Sequence, residues 1–332
     1  MTDQTPPSML TPQITSSSHR RSSRYEYALL GMIVVVIIAT SIGSGGNFWS
    51  ETNLDTILVD VALTAIPAIG MTFVIITGGI DVSVGAILGL SAAVTGIAYN
   101  QGLSPWSAAI IGILAGTIMG LINGIFIAYI QIPPIITTLG FLSIWSAALY
   151  LVLGGNWITN IPSSYTALAV TAKFVGIPLS MWVALVLVAA FSWILAYRSW
   201  GRYLYAMGNN AEAARIFGLP LTKTTLLAYT LLGMFSAVAG IVHLGLSPLV
   251  QASTGSGFEL TVIAAVVVGG TNIVGGRGTI VGSLLGAIFV EIINDAVVLF
   301  HIQAFWQGVA LGCMILISVM VGDFYRQRQK AR

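Results

Sequence analysis

Ten apolar blocks recur along this chain of 332 residues, and their lengths decide what it can become. They run over about 27–45, 54–77, 82–99, 104–130, 135–153, 178–197, 224–246, 259–272, 279–299 and 306–322. An α-helix rises about 1.5 Å per residue, so roughly 20 apolar residues cross a hydrocarbon core of about 30 Å. Charged residues make up 7% of the chain, against roughly 25% in soluble domains. The sequence therefore predicts an all-α polytopic integral membrane protein with about ten transmembrane helices. The block at 259–272 is short enough for a half-helix. Asp60 and Pro67 within 54–77 predict a kink or a break.

Charge placement orients the chain. Lys and Arg favour the cytoplasmic side of a membrane. With ten crossings and both termini cytoplasmic, Arg20, Arg21, Arg24, Arg198, Arg202, Arg215, Lys223, Arg277, Arg326, Arg328, Lys330 and Arg332 all fall inside, and Lys173 alone falls outside. Residues 1–24 read as a disordered basic tail, 25–325 as the membrane domain and 326–332 as a second basic tail. The first apolar block has no small-residue cleavage site after it and is kept as a membrane helix. Glu51, Asp55 and Glu259 are expected outside or at the outer interface, with Glu291 and Asp295 near the outer end of the ninth block. A net charge of +2 gives no case for nucleic acid. The single Cys313 is expected to be an inert packing residue.

Motifs for chemistry are missing. The glycine-rich run 269–278 lacks the lysine of a phosphate-binding loop, and no Ser-His-Asp set, paired carboxylates or metal-ligand spacing occurs. The sequence predicts no catalytic residue, no metal site and no cofactor on this chain.

Two polar segments stand out. The first, 198–223, is the one long polar stretch between apolar blocks. Ala211–Phe217 favours a short helix, which Asn209 or Asn210 caps and which Gly218 and Pro220 end. Its small residues Ala213 and Ala214 suit a groove on another protein. Glu212 either pairs with a basic group there or favours the helix N-terminus. The second segment is Thr77-Gly78-Gly79-Ile80-Asp81-Val82-Ser83-Val84-Gly85. Its glycines allow backbone reversal. Asp81 and Ser83 either cap the next helix or take part in gating and solute passage. Asn123, Thr137, Thr138, Ser143 and Trp145 are candidates to line a route for a hydroxyl-rich solute, or to tie helices together.

Glu212-Ala213-Ala214 followed by Gly218, in a cytoplasmic loop, resembles the coupling helix of bacterial ABC importer permeases. The segment 77–85, Ile132-Pro133-Pro134 with Thr137-Thr138-Leu139-Gly140, and Val268-Gly269-Gly270 with Gly275, Gly276 and Gly278 resemble the ribose-type branch. That branch carries monosaccharides and autoinducer-2. Gly154-Gly155-Asn156-Trp157-Ile158 with Pro162 looks closest to autoinducer-2 and rhamnose permeases. The resemblance implies a permease in the bacterial inner membrane that switches between inward-open and outward-open states. It implies a second permease subunit, alike or different, and two cytoplasmic ATPases that bind ATP and Mg and dock on 198–223. A periplasmic or surface-bound sugar-binding protein and membrane lipid complete the expected partners. The rival is a gradient-driven secondary transporter or passive facilitator, with Asp60, Glu291 and Asp295 as its ion-path candidates.

Overall fold

A computed structural model describes residues 17–159, 161, 165, 172–303 and 305–330. In chain order the helices are α1 (Ser17–Gly43), α2 (Glu51–Ile76), α3 (Val84–Asn100), α4 (Pro105–Ala128) and α5 (Pro134–Leu153). A two-residue hairpin follows, β1 (Lys173–Phe174) against β2 (Ile177–Pro178). Then come α6 (Leu179–Tyr197), α7 (Ser199–Asn209), α8 (Ala211–Ile216), α9 (Leu221–Leu246), α10 (Phe258–Val268), α11 (Ile280–Leu299) and α12 (Phe305–Lys330). Every apolar block of the sequence is occupied by a helix. Seven of the described helices are long and apolar enough to cross a membrane unaided; α3, α10 and the apolar part of α12 are shorter.

The first and last helices extend past their apolar blocks. α1 already begins at Ser17, so the tail expected to be disordered over 1–24 is helical from that residue, and 1–16 lie outside the described residues. No proline or glycine interrupts 17–30, which is why the helix carries back into polar sequence. Likewise α12 runs to Lys330, into the expected C-terminal tail. α2 passes Pro67 unbroken, correcting the expected break. Its surroundings are fully packed there, and neighbouring helices tolerate the lost backbone bond. Cys313, expected to pack inside, is exposed on α12.

The centre of the bundle is α2, buried almost continuously from Val59 to Ile76, against α9, α11, α6 and α10. The tightest seam joins α4 to α9. It follows from a glycine repeat at every fourth residue of α4: Gly112, Gly116, Gly120 and Gly124. Residues four apart share one helix face, so these glycines form a flat strip. A Cβ at Gly116 or Gly120 would collide with backbone at Gly233 of α9, and one at Gly112 with Thr95 of α3. Small residues let membrane helices approach until their backbones touch.

The outer end is fixed by charge. Lys173, the one basic residue expected outside, donates to Glu51 at 2.8 Å and pairs with Asp55 at 2.7 Å. Both acids sit in the first turns of α2, so the hairpin closes over that helix.

Gly120→Leu is expected to destabilise the chain by about 1–3 kcal/mol or more, since the side chain meets backbone that has no room to move. Gly140→Leu, at a position with nothing nearby, should leave the melting temperature of the isolated chain unchanged. Thermal unfolding of both variants in detergent checks this, and equal melting temperatures would contradict it.

Candidate functional site

The segment between α2 and α3 is not helical. Gly78 turns with φ 84° just after α2, and the chain then runs to Ser83 without helix or strand. Contacts with α9 give its depth. Gly79 abuts the Tyr229 hydroxyl, and the Leu88 carbonyl abuts Gly240. Those two α9 residues lie about 12 Å and about 28 Å from the start of their helix, by the rise of 1.5 Å per residue. The segment therefore rises along α9 from the end at which that helix starts, and α3 begins between those two levels.

A matching segment enters from the other side. Val250 pairs with Ile158 on the outer face; the chain then descends until Thr254 meets Gly89 and Gly255 meets Gly85. From there α10 has 11 residues, which cover about 16 Å. The starts of α3 and α10 thus lie side by side inside the bundle. Glu259, expected outside or at the outer interface, is instead beside Gly85. The helix in the block 259–272 is too short to cross the bilayer, and Glu259 in its first turn is half-buried.

Around the extended segment a polar cluster forms. Asp81 Oδ1 accepts from the Ser83 N–H at 2.8 Å and from the Ser83 hydroxyl at 2.6 Å. Asp81 Oδ2 accepts from Asn123 Nδ2 of α4 at 3.2 Å, and the same amide donates to Ser83 Oγ at 2.8 Å. Trp145 Nε1 of α5 donates to Asn123 Oδ1 at 3.3 Å. Thr138 of α5 donates to the Ile80 carbonyl at 3.3 Å. The Trp145 ring stacks on Phe141 with centroids 5.3 Å apart. Asp81, Ser83, Asn123, Trp145 and Thr138 therefore meet in one place. Asp81 bonds within its own turn and to α4, not to the amides of the α3 N-terminus. Thr137 is buried beside the cluster with its hydroxyl unpartnered. Ser143 is apart from it, on the exposed face of α5 with Gly140 and Ala147.

At the cytoplasmic end, 198–223 folds into α7 and α8. Asn210 caps α8 by accepting from Ala213 N–H at 2.9 Å, and Gly218 takes φ 71° after it. The alanines do not form the outer surface: Ala214 is buried and Ala213 half-buried. What α8 offers outward is Glu212, Arg215, Ile216 and Phe217, the last two 79% and 83% exposed. A six-residue helix has too few turns for its pattern to show which face is inside.

α7 locks onto the glycine turn after α10. Tyr205 donates to the Gly278 carbonyl at 2.7 Å, and burial pushes its hydroxyl up to about 12, so it stays a neutral donor. Gly276 N–H donates to the Ile76 carbonyl at the end of α2 at 2.8 Å. Gly208 fills the gap between them; any Cβ there would strike both backbones. This junction of Gly208, Gly276 and Ile76 joins the docking loop to the start of the extended segment. The sequence hinted at it only through the glycines of 269–278.

A family model described as branched-chain amino acid transport system / permease component matches residues 53–319, most of the chain. The chain belongs to this permease family. It is a multi-pass permease of the bacterial inner membrane. Its relatives include the autoinducer 2 import system permease protein LsrC of Yersinia pseudotuberculosis serotype O:1b (strain IP 31758). That protein is 33% identical over 303 residues, covering 91% of this chain and 85% of the relative. LsrC of Salmonella paratyphi B (strain ATCC BAA-1250 / SPB7) is 34% identical over 303 residues, covering 91% and 86%.

Within this permease the acidic candidates of the rival reading sit elsewhere. Glu291 of α11 accepts from Thr64 of α2 at 2.6 Å and from Asn294 at 3.0 Å. Asp295 accepts from Asn53 at 3.1 Å. They close the seam between α2 and α11 and take no part in the Asp81 cluster.

Removing one donor from a buried acid leaves it under-bonded, which costs about 1–3 kcal/mol. Asn123→Ala is therefore expected to lower the stability of the chain by that order, read as a fall in melting temperature. An unchanged melting temperature would show that the Asp81 cluster contributes nothing to holding α4 and α5 on the extended segment.

Proposed function

We propose that this permease is the membrane subunit of an ATP-binding-cassette importer for a monosaccharide or an autoinducer-2-like sugar. The observation that carries the reading is the family match over 53–319 taken with a short helix whose tip is exposed beside the junction at Gly208. The import role of the LsrC relatives supports the solute class. ATP and Mg belong to two partner ATPases, which dock on α8. Glu212 orients that contact, and Ile216 and Phe217 supply its apolar anchor, since exposed aromatics and aliphatics at such a tip are what a partner pocket buries. The junction at Gly208, Gly276 and Ile76 then carries ATPase movement to the end of α2 and to Gly78, Gly79 and Asp81.

A second permease subunit, identical or not, completes the route. The exposed face of α5 carries Gly140, Ser143 and Ala147 beside the Thr138–Trp145 cluster. A cavity of about 310 Å³ near Val94, Ile97 and Ile111 is mostly apolar, and among the described residues Gln101 is the one polar side chain that it offers a sugar. A binding protein delivers the solute to the outer face. The bundle then alternates between two packings that differ by little enough for ATP to reverse them.

The double variant Ile216→Ser/Phe217→Ser should weaken binding of the purified ATPase at least tenfold in a pull-down titration while the chain still inserts and folds. Glu212→Lys should leave the complex assembled but uncouple ATP hydrolysis from uptake of autoinducer-2 or ribose into vesicles. ATPase binding at wild-type strength in the double variant would remove α8 as the docking element.

A further inference from the structure

Tyr229 of α9 is 1% exposed, and its hydroxyl has no hydrogen-bond partner. An unpaired buried hydroxyl is costly, so such groups need a specific cause. Its surroundings suggest one. The hydroxyl rests against Gly79, where any side chain would collide with it, and it lies within electrostatic reach of Asp81. Asp81 is held on Oδ1 by Ser83, while Oδ2 has only the longer bond of 3.2 Å from Asn123. The acid therefore stands between two donors on different helices. Asn123 of α4 is engaged and Tyr229 of α9 is idle.

We propose that Tyr229 is the second partner of Asp81: during transport the acid exchanges Asn123 for the Tyr229 hydroxyl and carries the extended segment with it. Tyr229 is thus a positioning residue for the gate, and the proposal rests on the importer reading above. α9 is placed to drive the exchange. It starts at Leu221, directly after α8, Gly218 and Pro220, so the helix that holds Tyr229 is the one the docking element feeds. Tyr229 lies about 12 Å along it, near enough that a tilt at the docked end moves the hydroxyl past Gly79. The absence of a side chain at Gly79 leaves the way open. On the opposite side, Asn123 is bonded to Trp145 of α5, so releasing Asp81 also frees the helix that carries Ser143.

Tyr229→Phe tests this without disturbing the shape of the core. The full chain is assembled with its ATPase in nanodiscs, with Cys313→Ser and Thr77→Cys to place one thiol at the start of the extended segment. Labelling by a water-soluble maleimide is measured without nucleotide and with Mg-ATP and vanadate. The Tyr229→Phe protein should keep the wild-type melting temperature and resting labelling rate. Its ATP-driven change in labelling should fall about tenfold, as when a hydrogen bond to a charged group is lost from one state alone. A change of equal size in the two proteins, zero included, overturns the proposal. A melting temperature several degrees lower also overturns it, by showing that the hydroxyl is already bonded in this conformation. A chain that takes up no ATPase at all sinks the importer reading instead, and this proposal with it.

Discussion

Backbone that leaves the helix at membrane depth must be shielded from lipid, because hydrocarbon offers its N–H and C=O groups nothing to bond. The permease has such a stretch in 77–83, and its packing is organised around enclosing it; the second non-helical stretch, 251–257, is held at Thr254 and Gly255 and leaves Ala252, Ser253, Ser256 and Gly257 exposed. α2, α4 and α9 form the enclosing wall, and the wall is tight because glycine faces glycine across the α4–α9 seam. Where the two stretches meet, Gly85 and Gly255 bring backbone against backbone. Side chains at those positions would push α3 and α10 apart. The peripheral helices α1, α5 and α12 contribute much less to this enclosure and leave most of their apolar surface exposed.

Enclosure explains why the chemistry-bearing residues lie where they do. An extended backbone needs side-chain partners that a helix would not. Asp81 and Thr138 supply them, from the loop itself and from α5, and Asn123 of α4 holds the Asp81 carboxylate. The same residues tie the extended segment to α5, the helix with the exposed polar and small face. At the cytoplasmic end, Gly208 and Gly276 tie the segment's origin to the docking loop. The segment is therefore connected at one end to the element proposed to dock a partner and at the other to the helix beside the proposed route.

Much of this could be read in advance where the cause is local. Block lengths placed the helices; Asn210, Gly218 and Pro220 marked the bounds of α8; Lys173, Glu51 and Asp55, set on one side of the membrane, pair with one another. Depth was not legible. Glu259 was expected outside or at the outer interface, yet it touches Gly85 at the start of α3. Hydropathy reports that a segment avoids water, but only tertiary contact shows where in the bilayer it begins. The outward face of α8 failed for a related reason, since six residues carry no periodicity that separates Ala214 from Phe217. The fourfold glycine repeat on α4 was present in the sequence and would have identified the central seam, had spacing been weighed along with glycine content.

The two groups of buried acids show what separates a fixed seam from a movable one. Glu291 has both oxygens bonded, to Thr64 and Asn294, on α2 and α11. Those helices also pack directly along their lengths, so the hydrogen bonds add to a contact that exists without them. Asp81 is different. Its segment has no helix-to-helix packing of its own, and its links to α4 and α5 run through single side chains. Breaking a link of that kind costs one hydrogen bond and leaves the enclosing wall intact, whereas moving Glu291 would mean parting α2 from α11. Two packings of one chain can stay close in energy only if the groups exchanged between them are few. An extended segment held by isolated side-chain bonds, inside a wall held by backbone contact, meets that condition.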